Sequence, residues 1–312
     1  MKRALILSGG SEKGAFEVGA IDYLVNQAGF DFQCFFGTSI GALNVAILGQ
    51  ARNREELIIR TGQLKKLWLD IRGYRSVYRK NSLGLLNLVF GQSLYDPVGL
   101  RQILKKNINL DLLFDPATMV KVTTVALENG ELFYADSRSP EIRKDFLNYV
   151  VASASIPFYF PGVPIGGKHW YDGGLRDITP LGTVFDEDPD EIVVITTYPV
   201  NSKLEPVLPE VPYRGPLKNL NQMTAILMNA IAAKDLQLAN AINQDTRSFP
   251  LKKRIPLRII TPEKPFPQNK VAFNPTVIRK YIQLGYNVAQ KPIVLSTGQL
   301  ANWYNISFRN LE

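Results

Sequence analysis

The run from Phe32 to Ala46, FQCFFGTSIGALNVA, leaves a chain few ways to fold. Phe32, Cys34, Phe35 and Phe36 form an apolar run too short for a helix and read as a buried strand, while Ala42 to Leu48 reads as the first turns of a helix. Gly37-Thr38-Ser39-Ile40-Gly41 must then be the turn between them, with Ser39 at its apex. Such a G-x-S-x-G turn holds its serine in a strained conformation at the end of a strand, and the flanking glycines let the backbone pass close to a substrate. The helix that starts there aims free N–H groups and the positive end of its dipole at an anion forming beside Ser39. The same five residues also occur as a plain tight turn; the strand before and the helix after supply the context for a nucleophile.

A second glycine-rich turn follows the opening strand Ala4-Leu5-Ile6-Leu7. Ser8-Gly9-Gly10-Ser11-Glu12-Lys13-Gly14 leads into residues whose apolar members Ala15, Val18, Ile21 and Leu24 predict an amphipathic helix. Loops of this kind cradle phosphates, yet Gly9-Gly10-x-x-x-Gly14 fits neither G-x-G-x-x-G nor G-x-x-x-x-G-K-[ST]. The alternative use of the same N–H donors is an oxyanion hole, with Lys13 adding charge nearby.

Other features narrow the chemistry by exclusion. The single cysteine, Cys34, lies in the buried strand and is expected to be inert; with one histidine, His169, neither a disulfide nor a Cys- or His-rich metal site is expected. No apolar run reaches the ~18 residues that span a bilayer, and the start lacks a signal-peptide pattern, so the expected location is cytoplasmic. The formal charge is +8, with nine Lys or Arg against three acids between Arg52 and Lys80. That band suits either an anionic surface or a solvated helix face.

Along the chain, Arg54 to Asp70 is helical in period, with Leu57, Ile58, Leu64, Leu67 and Trp68 as its apolar side. Residues 72–92 mix arginines with leucines, as a cap over an apolar site or a membrane-contact segment would. Met119 to Leu127 and Glu131 to Ala135 form a hairpin, and a second one, Val163 to Tyr171, ends at Asp172-Gly173-Gly174. Ile192 to Thr197 and Leu257 to Thr261 read as late buried strands. Leu220 to Ile242 is a long helix whose Leu220, Met223, Leu227, Ala230 and Ile231 are expected in the core, and Pro275 to Ala289 is a last helix. Residues 292–312 remain unassigned. The alternation predicts one domain, 1–312, built on a mostly parallel sheet covered by helices on both faces, with the site at the carboxyl ends of the first two strands.

GGSEKG, GTSIGALNVA and YDGGLRDITP, in that order, resemble the patatin-like phospholipase family of lipid acyl hydrolases; ASASIPFYFPGV, SLYDPVGLRQIL and FNPTVIRKYIQLGYNVA are similar to further family segments. The resemblance implies a three-layer α/β fold and a Ser-Asp dyad: Ser39 as nucleophile, Asp172 as base, and Gly9, Gly10 and Ser11 as the oxyanion hole with Lys13 in the family's basic position. Gly14, Gly37, Gly41, Gly173 and Gly174 are the supporting motif glycines. No metal or organic cofactor is implied. The family usually carries a third glycine where Ser11 stands, a small residue where Glu12 stands and an asparagine where Ile178 stands. Ser11 is therefore expected to be strained if its φ is positive, and Glu12 to bring negative charge to the site.

The implied reaction is acyl transfer: Ser39 attacks an ester carbonyl, an acyl-enzyme forms, and water activated by Asp172 releases a fatty acid. The expected partners are a lipid ester and, peripherally, an anionic membrane surface, with no nucleic acid. Two alternatives stay open. One is the same chemistry on a soluble ester or thioester; the other is a catalytically weak protein that binds anionic lipid or nucleic acid. His169 invites a triad reading, but residues three apart in an extended run point to opposite faces, so it should be structural.

Overall fold

Leu5 and Leu7 face one apolar core while Ala4 and Ile6 face another, and Phe35 and the pair Cys34 and Phe36 divide in the same way. Strands buried on both faces need helices on both sides, and that is the architecture of the computed structural model. It describes all residues except 82–92, 211, 213–214, 245–253, 268–272 and 296–312.

Nine strands form one mixed sheet: β1 (Arg3–Leu7), β2 (Cys34–Thr38), β3 (Met119–Ala126), β4 (Leu132–Asp136), β5 (Val163–Ile165), β6 (Lys168–Asp172), β7 (Glu191–Ile195), β8 (Leu257–Ile260) and β9 (Ile293–Leu295). The order is β9-β8-β7-β1-β2-β3-β6-β5, with β4 paired to β3. The central five, β8 to β3, are parallel, and antiparallel strands flank them on both sides. β9 takes up the start of the unassigned C-terminal stretch.

One face is covered by α1 (Gly14–Asn26), α2 (Ile40–Leu48), α3 (Arg54–Asp70), α4 (Val98–Asn107), α5 (Phe146–Ser153) and a later helix, Pro275–Val288. The other carries α6 (Pro216–Gln244); the Pro275–Val288 helix is α7. The expected cap, 72–92, falls largely on 82–92, outside the described residues. Among the described residues no helix is long and apolar enough to cross a membrane.

Two expectations need correcting. α1 is not amphipathic: α3 packs against it and so does α7, so Gly14 to Ile21 is buried throughout. Gly19 and Gly285 sit where α1 and α7 cross, and a Cβ on either would overlap the other helix's backbone, at Ile282 and Phe16 respectively. α6 buries a different stripe from the one expected. Met228, Ala232, Leu236 and Ala239 face inward, whereas Met223 and Leu227 are 56% and 61% exposed. Residues 223–233, MTAILMNAIAA, place apolar side chains on so many faces that helical spacing fits more than one stripe.

Candidate active site

The sheet register brings Ser39 and Asp172 together. Thr38 pairs in parallel with Thr123 of β3, and Asp172 pairs antiparallel with Thr124. β4 occupies the opposite edge of β3 across residues 121–125. β2 and β6 therefore follow one another along a single edge of β3, and the residue just past Thr38 meets the last residue of β6. The Ser39 side chain is thereby set beside the Asp172 carboxyl, close enough to lower its pKa.

Ser39 stands between β2 and α2 with φ 57° and ψ −133°, a conformation that costs a non-glycine residue on the order of 1–3 kcal/mol. Its N–H donates to Ser153 Oγ at 2.9 Å, and Thr38 Oγ1 donates to the Asp177 carbonyl at 3.1 Å, so the turn is held from both sides. Gly41 is required by close approach: a Cβ there would stand 2.5 Å from the Leu7 carbonyl oxygen. Gly14, Gly37, Gly173 and Gly174 are similarly crowded, against Ile40 and Trp68, Gly41 and Val45, Thr123, and Ile178 with Met228.

Asp172 is 1% exposed. Burial pushes its pKa up to about 7, against the opposing effects of a hydrogen bond from the Gly174 N–H, at 2.8 Å to Oδ1, and of the Ser39 side chain. A carboxyl with reference pKa ~3.9 is a poor base for a hydroxyl; desolvation here raises its basicity toward neutrality.

The glycine-rich turn lies across from this pair, at the end of β1. Gly9, Gly10 and Ser11 have φ of 73°, 120° and 58°, so Ser11 does carry the strain expected where the family has glycine. The Gly9 N–H, one of three expected oxyanion donors, is already bonded to Glu17 Oε1 at 2.6 Å, and its carbonyl accepts from Thr197 Oγ1. Among the described residues, the Gly10 and Ser11 N–H groups have no internal acceptor. Lys13 Nζ rests 5.5 Å from the Tyr198 ring centroid and 5.8 Å from that of Phe266, and burial lowers its pKa. Glu12 accepts the Phe273 N–H at 3.0 Å, so its hydrogen bond is made to the α7 side of the molecule.

The remaining assignments divide cleanly. His169 is exposed on β6, its Nδ1 2.8 Å from Glu128 Oε1, on the face opposite Asp172. Cys34 is buried, and burial pushes its thiol pKa up. Ile178, in place of the family's asparagine, packs with Tyr198, Met228 and Ala232. The acidic run 186–191 lies away from the site, with Glu187 paired to Lys121 and Arg138 and Glu191 to Arg3 and Arg258.

Sequence reasoning missed Glu17, Ser153 and the neighbouring carboxyls Asp177 and Asp235, both pushed up by burial. The one available signal was for Glu17, the single charged residue in the otherwise uncharged run Gly14 to Ile21.

A family model described as Patatin-like phospholipase matches residues 5–185. The chain is 26% identical to the uncharacterized protein YjjU of Escherichia coli K12 over 206 residues, 63% of this chain and 52% of YjjU. It thus spans about half the length of that curated relative. Among solved structures, VipD of Legionella pneumophila is similar with a TM-score of 0.44 and 13% identity, over 93% of this chain and 66% of VipD. The type III effector ExoU of Pseudomonas aeruginosa is similar with a TM-score of 0.30 and 14% identity, over 76% of this chain and 53% of that one.

Proposed function

Because the chain belongs to the patatin-like phospholipase family, we propose that it is a serine lipid acyl hydrolase in which Ser39 is the nucleophile and Asp172 its general base. The observation that carries this reading is the juxtaposition, along one edge of β3, of the strained Ser39 with a buried Asp172 whose pKa is raised to about 7. A base is most useful when its pKa lies near the working pH.

Asp172 takes the Ser39 proton as Oγ attacks the ester carbonyl. The Gly10 and Ser11 N–H groups, joined by the N–H of Ile40 at the start of α2, receive the oxyanion. As the tetrahedral intermediate collapses, Asp172 returns the proton to the leaving alcohol. A water then gives a proton to Asp172 as it attacks the acyl-Ser39 ester, and collapse of the second tetrahedral intermediate releases the fatty acid as Asp172 returns that proton to Ser39 Oγ. Lys13 places positive charge beside the donor loop. Phospholipids and simpler lipid esters are the proposed substrates.

A fluorophosphonate probe and a lipid ester test the reading together. Wild-type protein should be labelled and turn over ester, and Ser39→Ala should do neither while remaining folded. Labelling or turnover above background in clean Ser39→Ala protein would overturn the assignment.

A further inference from the structure

Glu17 is a fully buried acid on α1 that makes no contact with Ser39 or Asp172, yet it bonds the loop that faces them. Its second oxygen accepts from Asn44 Nδ2 at 2.8 Å, and Asn44 Oδ1 accepts the Trp68 indole N–H at 2.9 Å. The indole N–H can only donate, so it fixes which way the Asn44 amide faces, and thereby presents an N–H to Glu17. Trp68 in turn stacks on Phe273, with centroids 6.2 Å apart and planes 26° apart. The Phe273 N–H donates to Glu12, which lies in the same glycine-rich turn.

The contacts close a ring: Gly9, Glu17, Asn44, Trp68, Phe273, Glu12 and back to the turn. Both ends of the Gly9–Glu12 segment are therefore tied to helices, one end through α1, α2 and α3 and the other ahead of α7. Between the two ties lie the Gly10 and Ser11 N–H groups.

We propose that Glu17 is a positioning residue. By taking the Gly9 N–H it sets the rotation of the following peptide units, so that the Gly10 and Ser11 N–H groups, and not that of Gly9, face the oxygen on which charge develops. Glu12 anchors the other end of the segment, which gives the acidic replacement in this turn a structural use. The inference rests on the acyl-hydrolase reading above.

Glu17→Gln is the primary test. It preserves shape, but a carboxamide cannot accept both the Gly9 and the Asn44 N–H groups; one contact becomes donor against donor. Trp68→Phe is the second variant, removing the indole N–H at the far end of the chain of bonds together with part of a fully buried ring, so its stability is measured beside its activity. On a soluble ester, Glu17→Gln is expected to lose ~10- to 100-fold in kcat with KM within about threefold, less than outright loss of a donor costs. Its second-order labelling rate by fluorophosphonate should fall by the same factor. Trp68→Phe should show a smaller loss of the same kind, and the double variant less than the product of the two.

A folded Glu17→Gln whose kcat and labelling rate stay within twofold of wild type overturns the proposal, as does a loss confined to KM. If Glu17→Gln does not fold, Trp68→Phe decides by the same criteria. Hydrogen exchange at the Gly9 amide supplies a readout independent of turnover: it should be slow in wild type and faster in Glu17→Gln, and equal rates count against the proposal. Wild-type protein that neither labels nor hydrolyses ester would instead refute the parent reading.

Discussion

Asp172→Asn should make the protein more stable, and by an amount that depends on pH. The folded protein holds the Asp172 proton up to about pH 7, against an ordinary aspartate value of 3.8. Between roughly pH 4 and 7 unfolding therefore releases a proton, and every pH unit in that window favours the unfolded chain. The stability is fully present below the unfolded pKa and is lost as pH rises through the folded one. About three units at 1.36 kcal/mol each give on the order of 4 kcal/mol. Asparagine escapes this loss and fits the site, since Oδ1 can still accept the Gly174 N–H, now at 2.8 Å, and Nδ2 can donate to Ser39 Oγ. Urea titrations of both proteins from pH 4.5 to pH 8.5 provide the measurement. The variant's advantage should widen up to about pH 7 and then stay level, while esterase activity is nearly abolished. Because Glu17 and the other buried acids are common to both proteins, their titrations cancel in the difference. An advantage that is the same at every pH would refute the reasoning.

Wild-type kcat/KM should climb with pH and reach its plateau above about pH 7, because Asp172 must be ionised to accept the Ser39 proton; a flat profile from pH 5.5 to 8 would contradict this. His169→Ala should keep kcat/KM within a few-fold of wild type, since the imidazole is exposed and bonded to Glu128; activity as low as that of Asp172→Asn would demand a histidine-based mechanism. Ser11→Gly relieves a φ of 58°, worth about 1–2 kcal/mol less the ~0.5–1 kcal/mol of added unfolded-state entropy, so thermal melts should show a small net gain. The exposed Arg72, Arg75, Arg79 and Lys80 should favour anionic over neutral vesicles in sedimentation at low salt, and the preference should fade near physiological ionic strength, where the Debye length is ~8 Å.

The turn around Ser39 was legible because its requirements are local: a strand, two glycines and a helix within fifteen consecutive residues. His169 could be set aside for a similar reason, as its direction relative to Asp172 follows from the two-residue period of a strand. The meeting of Ser39 with Asp172 was not legible. It depends on β2 and β6 both ending along one edge of β3, at Thr123 and Thr124, and no spacing in the sequence encodes that register. Only the family resemblance implied that Ser39 and Asp172 act together. Glu17 escaped because a charged residue on a helix normally marks the solvent side, and only the packing of α3 and α7 against α1 shows that this helix has none over its first two turns. The inward stripe of α6 escaped for the opposite reason, since apolar residues recur on several of its faces.

The crossing of α1 and α7 at Gly19 and Gly285 reaches beyond local packing. The family model's match stops at residue 185, but the partner that α1 fits against begins about ninety residues later, at Pro275, and β8 and β9 also lie beyond the match. The end of the family model's match and the end of the packed core are thus different places in this chain. The segment carrying both Ser39 and Asp172 borrows a wall from sequence that the family match does not cover, and drift in α7 is constrained by the glycine of α1 as tightly as if the two helices were neighbours in the chain.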